Sequence, residues 1–313
     1  MTEFARRQVL FLVCLLSGCA FSRSPLDDSL LDSQRRLVAR SRQAEERGDL
    51  NSAKRLLEYA AELNSEDAGI THQLARLQFK SGESQRAIDG LRYAVAKDPR
   101  DTEAFVELSR ILMQQNRYPE ANQTLMAALK LDPNHIEALM LSGFWEERHN
   151  QTTLAMETYY RVLGLDRDHV EAKLRIALLQ MNSGAFDRAA PTLRWICQSD
   201  RADEAKQAQA YWSLGILYGS QDRWSDAVES LSAALSKRET ESADDWYRLA
   251  YGRYKAGDLS GAVRNLQTAL RNDPNHSASL AMAASLGYET HQQAGRIVNV
   301  GAIAGAIPTP PGW

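Results

Sequence analysis

Three cysteines in 313 residues, at positions 14, 19 and 197, are too few for a disulfide framework or a thiolate metal cage. Charge of one sign is missing too. With 37 basic and 40 acidic residues and a formal net charge of −3, nothing gathers the positive field that nucleic acid requires. The two apolar stretches, Val9 to Leu16 and Ile297 to Ile307, both fall short of the roughly 20 residues that span a bilayer as a helix. The six histidines (72, 135, 149, 169, 276, 291) are dispersed, and no glycine-rich phosphate loop, nucleophile elbow or paired-carboxylate motif occurs. These absences set the expectation of a chain without catalytic residues, metal, cofactor, small-molecule substrate or nucleic-acid partner.

What is present is a period. Alanine stands at 53, 87, 121, 155 and 189, an interval of 34 residues held four times, and returns in a shifted register at Ala227 and Ala262. Such an interval announces a repeat architecture, and alanine suits it because two helices that nearly touch leave room for about one methyl. With that alanine at unit position 20, seven units follow at 34–67, 68–101, 102–135, 136–169, 170–203, 208–241 and 243–276. Unit position 8 is always small (Ser41, Ala75, Ser109, Gly143, Ala177, Gly215, Ala250), and position 24 always large (Leu57, Leu91, Leu125, Tyr159, Leu193, Leu231, Leu266). Position 27 is Ala60, Ala94, Ala128, Val162, Ile196, Ala234 and Ala269. Small, large and small residues at helical spacing describe two antiparallel helices with interlocking faces. Between them each unit carries a turn former, Gly48, Gly82, Asn116, Asn150, Gly184, Asp222 and Gly257, of the types that accept the left-handed conformation ending a helix. Asp98, Asp132, Asp166 and Asp273 recur between units, where a turn needs a capping acceptor.

This pattern resembles the tetratricopeptide repeat (TPR) over residues 34–276. The resemblance implies an all-α fold, a right-handed superhelical solenoid of about seven helix-turn-helix repeats. A capping helix is expected over 277–295, where Leu280, Ala283, Ala284 and Leu286 keep a helical spacing, and an apolar, proline-rich tail over 296–313. The chain departs from the family in having the position-4 tryptophan only as Trp246 and the position-11 aromatic only as Tyr218. Four extra residues, Glu204 to Gln207, separate units five and six and are expected to lengthen the following helix by about one turn.

Arg6 and Arg7 before the run Val9 to Leu16 read as a secretory signal over 1–18. The run closes in Leu16-Ser17-Gly18-Cys19, which resembles the lipobox of bacterial lipoproteins and implies acylation of Cys19, the only lipid or cofactor expected. Residues 19–33 then form a lipidated polar tether. Ala20 after the cysteine favours, by that resemblance, the periplasmic face of the outer membrane, with the inner membrane left open. After processing, Cys197 is the one remaining thiol, placed as a packed small hydrophobe.

In TPR proteins unit positions 2, 5, 9, 12 and 13 face a concave groove. Here they hold Arg35, Val38, Arg42 and Glu45, then His72, Arg76, Phe79 and Lys80. From the third unit onward they become apolar: Val106, Met113, Met140, Phe144, Leu174, Leu178, Met181, Trp212, Ile216, Tyr247, Tyr251 and Tyr254. Unit position 5 there holds Val, Met, Leu, Trp or Tyr rather than the lysine, asparagine or arginine of a carboxylate clamp, so the expected ligand is a protein or peptide segment with aliphatic or aromatic anchors. The tail ends in Pro308-Thr309-Pro310-Pro311-Gly312-Trp313; its prolines favour an extended conformation, and Trp313 is a candidate anchor, in the chain's own groove or on a partner. The layout resembles bacterial TPR lipoproteins of pilus biogenesis, the pilotin type, or of the cell envelope more generally. Four roles stay open beside pilus or secretion-complex assembly: an adaptor for peptidoglycan enzymes, outer-membrane protein assembly, self-association, and an enzyme with an unrecognised site on the repeat scaffold.

Overall fold

The computed structural model describes residues 25–238, 240–291, 296–299 and 307–311. The signal segment 1–18, Cys19 and Trp313 lie outside the described residues. Among the described residues the chain forms fifteen α-helices and one two-stranded hairpin, in two compact units divided between Leu141 and Ser142.

In the first unit the helices are α1 (Pro25–Glu46), α2 (Leu50–Leu63), α3 (Ala68–Lys80), α4 (Ser84–Lys97), α5 (Thr102–Gln114) and α6 (Tyr118–Leu131). They pack as the consecutive hairpins α1/α2, α3/α4 and α5/α6, with α2 meeting α3 and α4 meeting α5. Helix α7 (Ile136–Arg148) contains the division. In the second unit follow α8 (Thr152–Leu165), α9 (Val170–Asn182), α10 (Phe186–Gln198), α11 (Glu204–Ser220), α12 (Trp224–Ser236), α13 (Ala243–Lys255), α14 (Leu259–Asn272) and α15 (Ser277–Ser285). Strands β1 (Tyr288–His291) and β2 (Arg296–Asn299) pair antiparallel, Tyr288 opposite Asn299.

The 34-residue register is a packing register. All seven position-20 alanines are fully buried, and the position-24 and position-27 residues are buried with them. Position 8 lies against this layer, and where it is serine the hydroxyl is bonded: Ser41 Oγ donates to the Ala53 carbonyl at 2.9 Å, and Ser109 Oγ stands 2.7 Å from Thr124 Oγ1. Where it is glycine the partner is bulky. A Cβ at Gly143 would stand 2.5 Å from Cε1 of Tyr159, and one at Gly215 would stand 2.6 Å from Cγ of Leu231.

All seven turn formers adopt positive φ, from +57° at Asp222 to +86° at Gly257. Between units, the side chains of Asp98, Asp132, Asp166 and Asp273 each accept the backbone N–H two residues on. The next helix is then capped by a second acceptor. Asp67 and Asp101 do this with a carboxylate, whereas His135, His169 and His276 use imidazole Nδ1. His135 and His276 also carry a carboxylate 3.0 Å from Nε2, Glu103 and Asp244 respectively. The ring therefore donates through Nε2 while accepting through Nδ1.

Two expected boundaries are corrected. The stretch 19–33 is not a tether throughout, because α1 already starts at Pro25. Proline is tolerated in a first turn, and nothing between Pro25 and Glu46 interrupts the helix that buries Gln34 and Ser41. The capping helix expected over 277–295 ends at Ser285 instead. Gly287, at φ +82°, stops it. The residues beyond, Tyr288, Thr290, Ile297 and Val298, are aromatic or β-branched and favour the strands they form. The extra residues 204–207, as expected, extend α11 to 17 residues.

Candidate functional site

In the second unit the first helices enclose an open cleft of about 1210 Å³. Leu178 and Met181 enter from α9, Phe186 from the start of α10, and Trp212 and Ile216 from α11. Glu204 and Ala205 belong to the turn that the insertion adds to α11, so those extra residues build part of one wall. The far wall is made by Lys237, Arg238, Thr240, Glu241, Ser242 and Asp245. Two cations lie near the indole of Trp212, Arg238 at 4.3 Å and Arg248 at 5.5 Å from the ring centroid. Arg238 is itself fixed by Asp245 at 2.9 Å. The result is an apolar floor of aliphatic and aromatic groups with a charged rim, suited to a ligand that carries both an apolar anchor and polar backbone.

Next to this cleft the chain crosses its own α13. Tyr247 donates its hydroxyl hydrogen to the carbonyl of Pro308, and Arg248 donates to the carbonyl of Pro311. The Tyr251 hydroxyl lies 3.3 Å from Oγ1 of Thr309. Pro310 is buried, and Ile307 packs on the cluster of Tyr247, Ala250, Met282 and Ala283. Burial, with Tyr251 close by, pushes the Tyr247 phenol up to about 12. It therefore stays a neutral donor at any physiological pH.

The twelve groove residues expected from the sequence thus have several fates. Leu178, Met181, Trp212 and Ile216 come together in the cleft. Tyr247 and Tyr251 are buried rather than open, lying against the tail. Val106, Met113 and Leu174 are buried in their own units and do not present an open face. Met140, Phe144 and Tyr254 are half-buried. The Phe144 ring faces Arg175 at 5.6 Å and Arg148 at 6.0 Å.

The corresponding face of the first unit is ionic, with Arg76 at 3.2 Å and Lys80 at 2.6 Å from Glu45. His72 bridges Asp101 at 2.9 Å and Glu107 at 3.0 Å. Sequence reasoning missed Phe186, Arg238 and Arg248. Arg238 sits near the end of its unit and Arg248 at the sixth position of the next, neither among the positions that face the groove by family rule. Their one local signal is adjacency to acidic residues that can orient them.

Among the described residues no three His, Cys, Asp or Glu side chains gather as metal ligands would. No described helix is long and apolar enough to cross a membrane. Cys197 is buried, and that burial pushes its thiol up to about 12.

Two segments of the chain, 78–143 and 174–245, match the tetratricopeptide repeat family. Those two segments are tetratricopeptide repeats. The helical hairpins of this TPR chain are similar to those of a tetratricopeptide repeat protein from Parabacteroides merdae, with a TM-score of 0.58 at 18% identity, covering 79% of this chain and 96% of that one. They are also similar to PilW, described as a widely conserved type IV pilus biogenesis factor, with a TM-score of 0.57 at 20% identity, covering 69% and 97%. In sequence, 111 residues are 26% identical to the mitochondrial fission 1 protein of Debaryomyces hansenii, covering 35% of this chain and 71% of that protein. TPR arrays are scaffolds that bind protein or peptide partners, and that is the chemistry the cleft offers.

Proposed function

We propose that this TPR chain is a non-enzymatic scaffold, lipid-anchored at Cys19 on the periplasmic face of the bacterial outer membrane, that holds a segment of a partner protein during assembly of a pilus or secretion complex. The observation that carries the binding half is the cleft of Leu178, Met181, Trp212 and Ile216, with its indole beside Arg238 and Arg248. An aromatic group beside aliphatic ones, with arginines next to it, is the composition from which binding hot spots are made once a partner excludes water from it. The membrane half is supported by Arg6-Arg7, the apolar run and Leu16-Ser17-Gly18-Cys19. The assembly role rests on layout, in keeping with the fold shared with PilW.

The test pairs two changes in the intact protein. Met181→Gln, Trp212→Gln and Ile216→Asn together should abolish capture of the partner from cell envelopes while the helix content by circular dichroism stays constant. Cys19→Ser should abolish incorporation of labelled palmitate and move the protein from the membrane to the soluble fraction. A partner retained equally by the cleft variant would overturn the binding site. A pilus, cell-wall or outer-membrane partner would select among the envelope roles.

A further inference from the structure

The segment 307–311 does more than cover α13, because its pattern of contacts defines a recognition rule. The two carbonyls that receive hydrogen bonds from α13, those of Pro308 and Pro311, are three residues apart. Three residues are one turn of a polyproline helix, about 9 Å, so a segment in that conformation would present both carbonyls on one edge. The groups that α13 supplies to those carbonyls, a phenol hydroxyl and a guanidinium, are donors. A segment with ordinary residues at 308, 310 and 311 would bring three backbone N–H groups needing acceptors, whereas proline brings none. Between the two bonded carbonyls Pro310 is buried, while the exposed Thr309 keeps its hydroxyl 3.3 Å from that of Tyr251. Direction is also defined. The chain enters at Ile307, against Met282 and Ala283, and reaches Arg248, whose guanidinium faces Trp212 at the edge of the cleft. Trp212, which Arg248 faces, lines that cleft.

We infer that α13 is a reader of extended prolyl segments: the partner binds as an extended stretch of the form apolar-Pro-X-X-Pro followed by an apolar or aromatic anchor for the cleft, and residues 307–311 are a resident occupant that it must displace. The inference rests on the partner-binding reading above and names the chemistry of the ligand. A tethered occupant competes at an effective concentration of the order of 1 mM. Against a free segment with a Kd near 0.1 mM it weakens apparent binding about ten-fold by mass action.

The experiment uses the full chain and a fluorescein-labelled peptide, Ile-Pro-Thr-Pro-Pro-Gly-Trp, with a control peptide in which glycine replaces each proline. Release of the resident segment comes from Pro308→Gly, Pro310→Gly and Pro311→Gly together, and independently from Thr309→Asp, which sets a charge against Tyr251. Both release variants should bind the prolyl peptide about ten-fold more tightly than the unmodified chain by fluorescence anisotropy, and the glycine peptide should bind neither. Adding Tyr247→Phe and Arg248→Ala to a release variant should weaken the prolyl peptide at least ten-fold. Equal binding by released and unmodified chains, indifference to glycine replacement, or indifference to loss of the two donors would each overturn the inference. The partner-binding reading is judged separately, since the Trp212 variant loses the envelope partner whether or not the prolyl peptide binds. The two therefore fail on different measurements.

Discussion

Replacing Gly143 by alanine should destabilise the protein, although alanine is the better helix former. In a helix interior the exchange ordinarily gains roughly 0.5–1 kcal/mol. Against this stands the ring of Tyr159. The new Cβ would lie 2.5 Å from its Cε1, 2.6 Å from Cζ and 2.9 Å from Cδ1, where ordinary contact begins at 3.4 Å. The ring has nowhere to retreat, being fully buried and tied by its hydroxyl to Glu147 at 2.6 Å. Overpacking of a fixed group costs typically 1–3 kcal/mol. The upper end applies here, and subtracting the helix gain leaves about 2 kcal/mol of net loss. Tyr159→Leu in the same chain recreates the alanine and leucine pair found at Ala75/Leu91, Ala177/Leu193 and Ala250/Leu266, and should recover at least about 1 kcal/mol of that loss. Tyr159→Phe should recover little, because the colliding atoms belong to the ring. Urea unfolding followed by circular dichroism, run as a double-mutant cycle, measures all four states. A Gly143→Ala protein as stable as the parent, or an additive cycle, would refute the shape-pairing argument.

Other outcomes follow from the same geometry. Asp222 holds φ +57°, so Asp222→Ile should cost about 1–2 kcal/mol in thermal or urea unfolding, while Asp222→Gly should stay within about 0.5 kcal/mol of the parent. Burial alone would lower the pKa of His72, but the hydrogen bond and charge of Glu107, with Asp101, more than reverse this and raise it above the ordinary 6.5. Its contribution to stability is therefore complete below about 6.5 and is lost as pH rises through the raised value; the stability gap between the parent and His72→Gln should shrink over that interval, and a gap that widens with pH would contradict it. Cys197, buried with its thiol pushed up to about 12, should label with maleimide at neutral pH at the rate of global unfolding, as peptide mapping by mass spectrometry can follow.

The parts of this fold legible in the sequence are those decided within one unit. Ala53 and its six counterparts, the seven turn formers and the inter-unit aspartates act on neighbours a few to some thirty residues away, and a fixed period exposes such rules. What stayed hidden depends on contacts the period does not contain. Tyr247 and Tyr251 occupy groove positions like the rest, yet they are buried by residues 61 and 58 places further on. Val106 and Leu174 obey the same positional rule and still turn inward, because a unit position sets direction but not depth. The strands at 288–291 and 296–299 replaced a helix because one glycine at positive φ outweighed a helical spacing of small apolar residues. In the cleft, the apolar floor was readable from position alone, whereas Arg238 lies outside the positions the family rule assigns to the groove.

The last hairpin, α13/α14, is closed over by Met282 and Ala283 of α15, by Leu286 and Tyr288, and by Ile307. A stack of like hairpins offers at its final member a face shaped for one more, and a second molecule can answer that offer with its own first hairpin. Head-to-tail contacts of that kind do not close on themselves and grow into filaments. Here the face is occupied by segments unlike any repeat, so polymerisation through it would first require α15, the strands and the tail to be stripped away together.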